Sequence, residues 1–417
     1  MSDQRKGQAT FREVFQVGEF QALWWGQILS IGGDQLARVA LTLLVYARTH
    51  SAALTALTYA LTFLPDLISR PLLSGLADRY PRREVMVIAD VSRALLVGVM
   101  AIPGLPFAAV CVLLVAVQFL NAPFNAARGA MLPNILTGDR YVTGQAVMTI
   151  TNQTGQLAGY VLGGVLLQFS TPSVALLIDA GTFAVSALLV RFGVLHRPAA
   201  TKAADPERGE LAATWLSLRS GVNLVWRDRM LRTLVWLACL SGFYVISEGL
   251  AVPYARELGG GALLTGLVFA ALPIGNALGV LLLTRLVPPD TRMRLVPLLA
   301  VASSAVLVIC AATHNTVATL VVLVTCGGLA AYQIVAASAF VRAVPDAERG
   351  QAFGLANTGI RVSQGLGVVA AGAFADSWSP SVVVAVFGAA GAVVALAAML
   401  SYRRAVAIPA TVKRASA

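Results

Sequence analysis

Twelve apolar stretches of about 20 to 28 residues follow one another along this 417-residue chain, beginning near residues 20, 54, 84, 105, 141, 173, 231, 262, 295, 315, 350 and 381. At about 1.5 Å of rise per residue, each is long enough as a helix to cross a hydrocarbon layer of about 30 Å. Of the residues, 57% are hydrophobic and 12% are charged, against roughly 25% charged in a soluble protein. So little polar surface excludes an ordinary cytosolic enzyme and an extended disordered chain. The net charge of +11 does not point to nucleic acid, because the basic residues are sorted by side. With both termini placed in the cytoplasm, only Arg48 and Arg256 fall outside and Arg38, Arg70, Arg93 and Arg361 fall within spans. The remaining Lys and Arg are cytoplasmic. That asymmetry follows the positive-inside rule and fixes an even number of spans.

The first 19 residues carry Asp3, Glu13 and Glu19 among basic residues, and the apolar run after them is too long for a signal-peptide core, so no cleavage is expected. Cys111, Cys239, Cys310 and Cys326 all sit in spans, where packed thiols are the better reading than disulfides.

Between the sixth and seventh spans the chain turns polar, from His196 to Glu210, and reads as a cytoplasmic linker. Leu211, Trp215, Leu218, Val222 and Trp226 then recur at helical spacing with Arg219, Arg227 and Arg229 nearby. This pattern describes a short amphipathic helix on the inner membrane surface or a packing strut. The expected organisation is therefore residues 1–195, a linker with its helix over 196–230, and residues 231–417. The halves echo each other: Gly144-Gln145-Ala146 opens the fifth span, Gly350-Gln351-Ala352 opens the eleventh, and the same offset pairs Gly159 with Gly365. Tandem six-helix halves are a repeat signature of secondary transporters, with the solute site between them.

The inner loop between the second and third spans reads Ser74-Gly75-Leu76-Ala77-Asp78-Arg79-Tyr80-Pro81-Arg82-Arg83. It resembles the loop signature of the major facilitator superfamily, a Gly four residues before an Asp-Arg pair, followed by Gly and two basic residues. Here Ser74 takes the first Gly position with Gly75 beside it, and Pro81 replaces the second. The resemblance implies that Asp78 braces one half against the other in one state, and that Gly75, Arg79, Arg82 and Arg83 belong to the same conformational switch. In the fifth span, Gly155, Gly159, Gly163 and Gly164 resemble the superfamily's antiporter motif, with Tyr160 where that motif has Pro. The same glycines also suit a tightly packed helix pair. Gly33-Asp34, Pro123 and Pro133 around Ala126-Ala127-Arg128, and Asp179 are similar to the bacterial drug and macrolide efflux branch. The implied fold is an all-α membrane protein of 12 transmembrane helices in two six-helix bundles, in a bacterial inner membrane, with both termini cytoplasmic.

Ionisable groups inside a membrane cost about 2.5–3.5 kcal/mol each on insertion scales, so they mark function or mutual neutralisation. Asp34 with Arg38 and Asp66 with Arg70 are spaced i,i+4, and Asp90 with Arg93 i,i+3, so each pair can share a helix face. Neutralisation is the preferred reading for Asp90 with Arg93. Asp34 and Asp66 lie at mid-span depth, where transporter sites are expected, and their arginine partners favour the carboxylates, which suits these acids to substrate or switch contacts better than to simple proton carriage. Glu248 has no basic residue within four positions and is the expected proton carrier, while Arg361 is a lone base in the eleventh span. The alternative is that Glu248 and Arg361 pair with each other. Asp179 reads as a hydrogen-bonded structural acid, because the sixth span is peripheral in the fold that the resemblance implies. Trp24, Trp25, Gln27, Tyr332 and Gln333 are candidates for lining a cavity or for anchoring and packing.

Catalysis and primary pumping find no support. His50, His196 and His314 fall in or beside different loops, and none of Lys6, Lys202 and Lys413 follows a Gly as a phosphate-binding loop requires. The sequence reads as a secondary transporter without a cofactor or metal, functional as a monomer. Its partners are protons, the bilayer and an amphipathic small molecule, exported by proton antiport. Proton symport, uniport and, more remotely, a membrane-embedded enzyme are the alternatives.

Overall fold

The computed structural model describes residues 10–73, 75–198, 222–345 and 348–415. The expected linker beyond residue 198 and most of the amphipathic segment lie outside them. Among the described residues every regular element is helical: α1 (Phe11–Phe15), α2 (Gly18–Thr49), α3 (Ala52–Leu61), α4 (Asp66–Leu73), α5 (Leu76–Arg79), α6 (Arg82–Met100), α7 (Phe107–Ile135), α8 (Asp139–Phe169), α9 (Pro172–Gly193), α10 (Arg229–Cys239), α11 (Ser241–Tyr244), α12 (Ile246–Gly249), α13 (Ala251–Glu257), α14 (Ala262–Leu286), α15 (Pro289–Ala305), α16 (Thr316–Leu329), α17 (Tyr332–Ala343), α18 (Arg349–Ala375) and α19 (Pro380–Ala415). A 3₁₀ turn, Val306–Ala312, extends α15.

Local chemistry sets several boundaries. The Thr171 hydroxyl accepts from the Val174 N–H, with Pro172 at the first helical position. The Asp228 carboxylate accepts from the N–H groups of Met230 and Leu231, and the Asn315 side chain from those of Val317 and Ala318. Each satisfies donors that a helix start leaves open.

Nine helical stretches among the described residues are long and apolar enough to cross a membrane. The other three expected spans, near residues 84, 141 and 350, fold as continuous helices of 19, 31 and 27 residues. They carry more polar or charged side chains: Arg83, Glu84, Asp90 and Arg93 in the first, the amides Asn152, Gln153 and Gln156 in the second, and Asn357, Arg361 and Gln364 in the third. Large side chains stand bare on the surface, among them Phe169 at 87% and Phe192 at 81% exposure. In water such residues would be a liability, and in lipid they meet their like. The chain is a multi-pass membrane protein.

It forms two compact units, the described part of Met1–Leu44 with Leu61–Leu211, and Val45–Ala60 with Ala212–Ala417. In the first unit α6 packs on α7 and α9. The Glu19 carboxylate closes the start of α2 onto the end of α9, accepting from Arg197 Nη1 at 2.6 Å and Nη2 at 2.9 Å and from the Leu195 N–H at 3.1 Å. That bidentate grip holds the Arg197 guanidinium still more firmly protonated than usual.

In the second unit the seventh expected span is broken into α10, α11, α12 and α13, interrupted near Leu240, Val245 and Leu250. Gly242 and Gly249 allow the breaks to press on α18. A Cβ at Gly242 would come 2.6 Å from the Ser363 carbonyl oxygen, and one at Gly249 would come 2.5 Å from Val368 Cγ1. Residues 45–60 join this unit. Asp376 accepts from the N–H groups of Ala52 at 2.6 Å and Ala53 at 3.2 Å, and from the Ser51 hydroxyl at 3.0 Å.

Helices α14 and α16 pack through glycine. A Cβ built on Gly275 would lie 1.9 Å from the Val324 carbonyl oxygen. Backbone cannot yield as a side-chain tip does, so Gly275→Ala is expected to cost at least about 1–3 kcal/mol. Around Gly98 a Cβ would meet nothing within 4 Å, so Gly98→Ala in α6 is expected to be neutral or stabilising. Melting temperatures of the two purified variants in one detergent check the contrast.

Candidate functional site

The glycines of the fifth span lie along one contact with α2. A Cβ on Gly155 would meet Ile31 Cγ2 at 3.1 Å, one on Gly159 would meet Gln35 Cβ at 2.8 Å, and one on Gly163 would meet the Leu36 backbone at 3.3 Å. Small residues at that spacing let α8 sit against residues 31–36 of α2. Asp34 and Arg38 project from the same stretch. Tyr160, the departure from the antiporter motif, is buried in α8, and its hydroxyl accepts from Arg38 Nη1 at 2.8 Å. The residue that replaces Pro therefore fixes the arginine of the first span.

Beside this contact lies a cavity of about 70 Å³ whose polar lining includes Asp34, Gln35, Arg38, Asn121 and Asp179. It has room for a few waters and none for a drug-sized solute. The Asp179 carboxylate presses on α2: a Cβ on Gly33 would fall 2.3 Å from its Oδ1 and 2.4 Å from Thr182 Oγ1. Thr182 donates to Asp179 Oδ1 at 3.3 Å. The expectation of a hydrogen-bonded acid holds for Asp179, but its place beside Asp34 does not follow from reading the sixth span as peripheral.

Asp90 and Arg93 form a buried ion pair on α6, 0% and 1% exposed. Arg93 Nη1 donates to Asn121 Oδ1 at 2.5 Å, and the guanidinium lies 4.4 Å from the Phe124 ring centre and 4.5 Å from that of Phe183. Asp66 and Arg70 also pair, at 2.7 Å, with the arginine 65% exposed. Two of the three sequence-expected pairs thus share a helix face, and in the third the Arg38 guanidinium bonds Tyr160.

A second, larger cavity of about 300 Å³ opens between α2, α7 and α8, lined by Gln27, Asn125, Arg128, Gln145, Asn152 and Gln153 among others. Gln27 is among the residues that line it. Tyr332 and Gln333 instead support the broken helix: the buried Tyr332 hydroxyl donates to the Leu237 carbonyl at 2.7 Å, and Gln333 Nε2 donates to the Ala238 carbonyl at 3.3 Å and to the Tyr244 hydroxyl. In the second unit Glu248 accepts a hydrogen bond from the Tyr59 hydroxyl, while Arg361 on α18 is exposed.

In the inner loop Gly75 precedes α5, which contains Asp78 and Arg79; the Asp78 side chain and Ser74 lie outside the described residues. Arg82 Nη1 donates to the Ala130 carbonyl at 2.7 Å, tying the loop to α7, and Arg83 pairs with Glu84 at 2.8 Å.

A family model described as Major Facilitator Superfamily matches residues 23–341 and 305–416. The chain belongs to the major facilitator superfamily. Members are transporters and not enzymes, and this chain is a transporter. It is 27% identical to an uncharacterised superfamily transporter of Bacillus subtilis, over 64% of this chain and 67% of that protein. It is 27% identical to the enterobactin exporter EntS of Citrobacter koseri, over 63% and 62%, and 26% identical to the multidrug efflux pump Tap of Mycolicibacterium fortuitum, over 60% and 62%. These matches span about three fifths to two thirds of the relatives' length. The fold is similar to that of the nucleoside transporter NupG, with a TM-score of 0.74 at 16% identity over 92% of this chain and 100% of that one. It is also similar to that of a POT family transporter, with a TM-score of 0.71 at 12% identity over 93% and 96%.

Sequence reasoning missed most of the larger cavity. A signal was present: Gln145, Thr149, Asn152 and Gln156 recur every three or four residues of the fifth span and so mark one polar helix face.

The Asp90–Arg93 pair yields a test of the buried network. Arg93→Met strands a carboxylate in the core and is expected to destabilise by about 3–5 kcal/mol, whereas Asp90→Asn combined with Arg93→Met is expected to lose much less. Denaturation of the single and double variants in detergent measures both.

Proposed function

We propose that this transporter is an exporter of the bacterial inner membrane, moving a small amphipathic solute outward in exchange for protons by alternating access of two six-helix bundles with cytoplasmic termini. The observation that carries the reading is the water-sized cavity holding Asp34 and Arg38, against which the antiporter-like glycines pack. A carboxyl group in such a cavity is reachable by protons and closed to the solute. Arg38, held by Tyr160, balances the carboxylate when the proton has left.

Asp34 is accordingly the coupling acid in this reading, with Asp179 sharing its cavity. Glu248 acts through its hydrogen bond with Tyr59 and not as the carrier. Asp66, Arg361 and the Gly75 to Arg83 loop serve the conformational switch. Export is supported by the relatives, which include a siderophore exporter and a multidrug efflux pump by name.

A second reading, proton symport into the cell, gains from the departure of Tyr160 from the antiporter motif. Inside-out vesicles separate the two. On addition of a transported compound, antiport releases protons from the vesicle lumen and symport does not. Asp34→Asn is expected to abolish proton-coupled flux while leaving solute exchange, and Glu248→Gln to retain coupling. Full coupling in Asp34→Asn overturns the assignment.

A further inference from the structure

The chemistry of the larger cavity in the first unit says what class of solute it takes. Its charged member is Arg128, on α7, at the mouth of a polar face of α8. Arg128 makes no ion pair among the described residues; its Nη2 donates to Asn125 Oδ1 at 2.9 Å. Asp90, an acid whose charge acts on it, is already bound to Arg93. Among the described residues no carboxylate lines the cavity.

The amides are biased in the same direction. Asn125 gives its carbonyl oxygen to Arg128, and Asn152 gives its own to Gln156 Nε2 at 2.6 Å. Each asparagine is left with its NH₂ group, so two amide donors join a guanidinium. Gln27 is the opposite. Its Nε2 donates to the Met148 carbonyl at 3.1 Å, while its Oε1 is buried and accepts nothing from the described residues, in a residue only 3% exposed. A buried acceptor without a donor costs about 1–3 kcal/mol until something supplies one.

We infer that this cavity is a binding site for a hydroxylated carboxylate, with Arg128, Asn125 and Asn152 taking the carboxylate and Gln27 Oε1 accepting from a hydroxyl. A guanidinium with flanking donors matches the planar geometry of a carboxylate. One fixed positive charge suits a monoanion better than a phosphate dianion. A lipophilic cation meets repulsion from Arg128 and finds no counter-charge. At about 300 Å³ the site stands at the lower bound for drug-sized ligands, so it holds a small solute or one moiety of a larger one.

The inference rests on the transporter reading for its physiological meaning, but binding tests it independently of flux. Calorimetric titration of the purified full chain uses 3-hydroxybenzoate, benzoate, which lacks the hydroxyl, 3-hydroxybenzamide, which lacks the charge, and tetraphenylphosphonium. The meta hydroxyl cannot bond its own carboxylate and stays free to donate. 3-Hydroxybenzoate is expected to bind at least about tenfold more tightly than either aromatic analogue, without competition from tetraphenylphosphonium. Arg128→Gln is expected to erase the preference over 3-hydroxybenzamide, Arg128→Lys to keep part of it, and Gln27→Leu to erase the preference over benzoate. Melting temperatures confirm that each variant is folded. Absence of saturable 3-hydroxybenzoate binding, a preference for the cation, or an unchanged preference in folded Arg128→Gln overturns the site. Arg128-dependent binding without proton-coupled flux in vesicles leaves the site standing and removes the antiport reading.

Discussion

The approach of α8 to α2 organises the first unit. Where Gly155, Gly159 and Gly163 face Ile31, Gln35 and Leu36, a single methyl group would fall inside contact distance. In lipid, tails compete with side chains for apolar contact, and intimate backbone approach is what distinguishes one helix neighbour from another. Asp34, Gln35 and Arg38 owe their positions to that contact, and Tyr160 reaches Arg38 from the same helix that carries the glycines. A polar network in a membrane needs a rigid frame, because each group that loses its partner is stranded where water cannot replace it.

The intramembrane charges then fall into two kinds. Asp90 and Arg93 are bonded to each other, stacked between rings and fully enclosed, an arrangement suited to holding helices α6, α7 and α9 together. Asp34 and Asp179 face a cavity large enough for water. A group that must exchange a proton needs this access, and a group that braces a core does not. The larger cavity adds a third arrangement, a guanidinium and oriented amides with no acid among its described lining residues. The two cavities share no described lining residue, and α2 borders both.

Much of this was legible in the sequence, and the reasons are physical. Apolar runs of membrane-spanning length need no partner to declare themselves, so helix starts near 20, 173, 262 and 381 are found at Gly18, Pro172, Ala262 and Pro380. Ion pairs at i,i+3 and i,i+4 were legible because one helix determines them. Contacts between helices were not. Nothing near Glu248 in sequence announces Tyr59, and nothing near Arg38 announces Tyr160, although the latter stood out as a departure from a motif. Asp179 looked peripheral because span order alone does not say which face of a span turns inward. Tyr332 and Gln333 resembled cavity residues, yet they bind the carbonyls of a helix that breaks near Leu240, Val245 and Leu250 and packs on α18 at Gly242 and Gly249. The polar face of α8 was readable as a helical period and was obscured by the glycines that share the helix.

The central claim is that solute binding displaces a proton from Asp34. It is tested most directly by adding a transported solute to purified protein in weakly buffered detergent solution and recording pH. The account predicts proton release from the native chain and from Glu248→Gln, and none from Asp34→Asn at a solute concentration that still saturates it. Undiminished release from Asp34→Asn would contradict it.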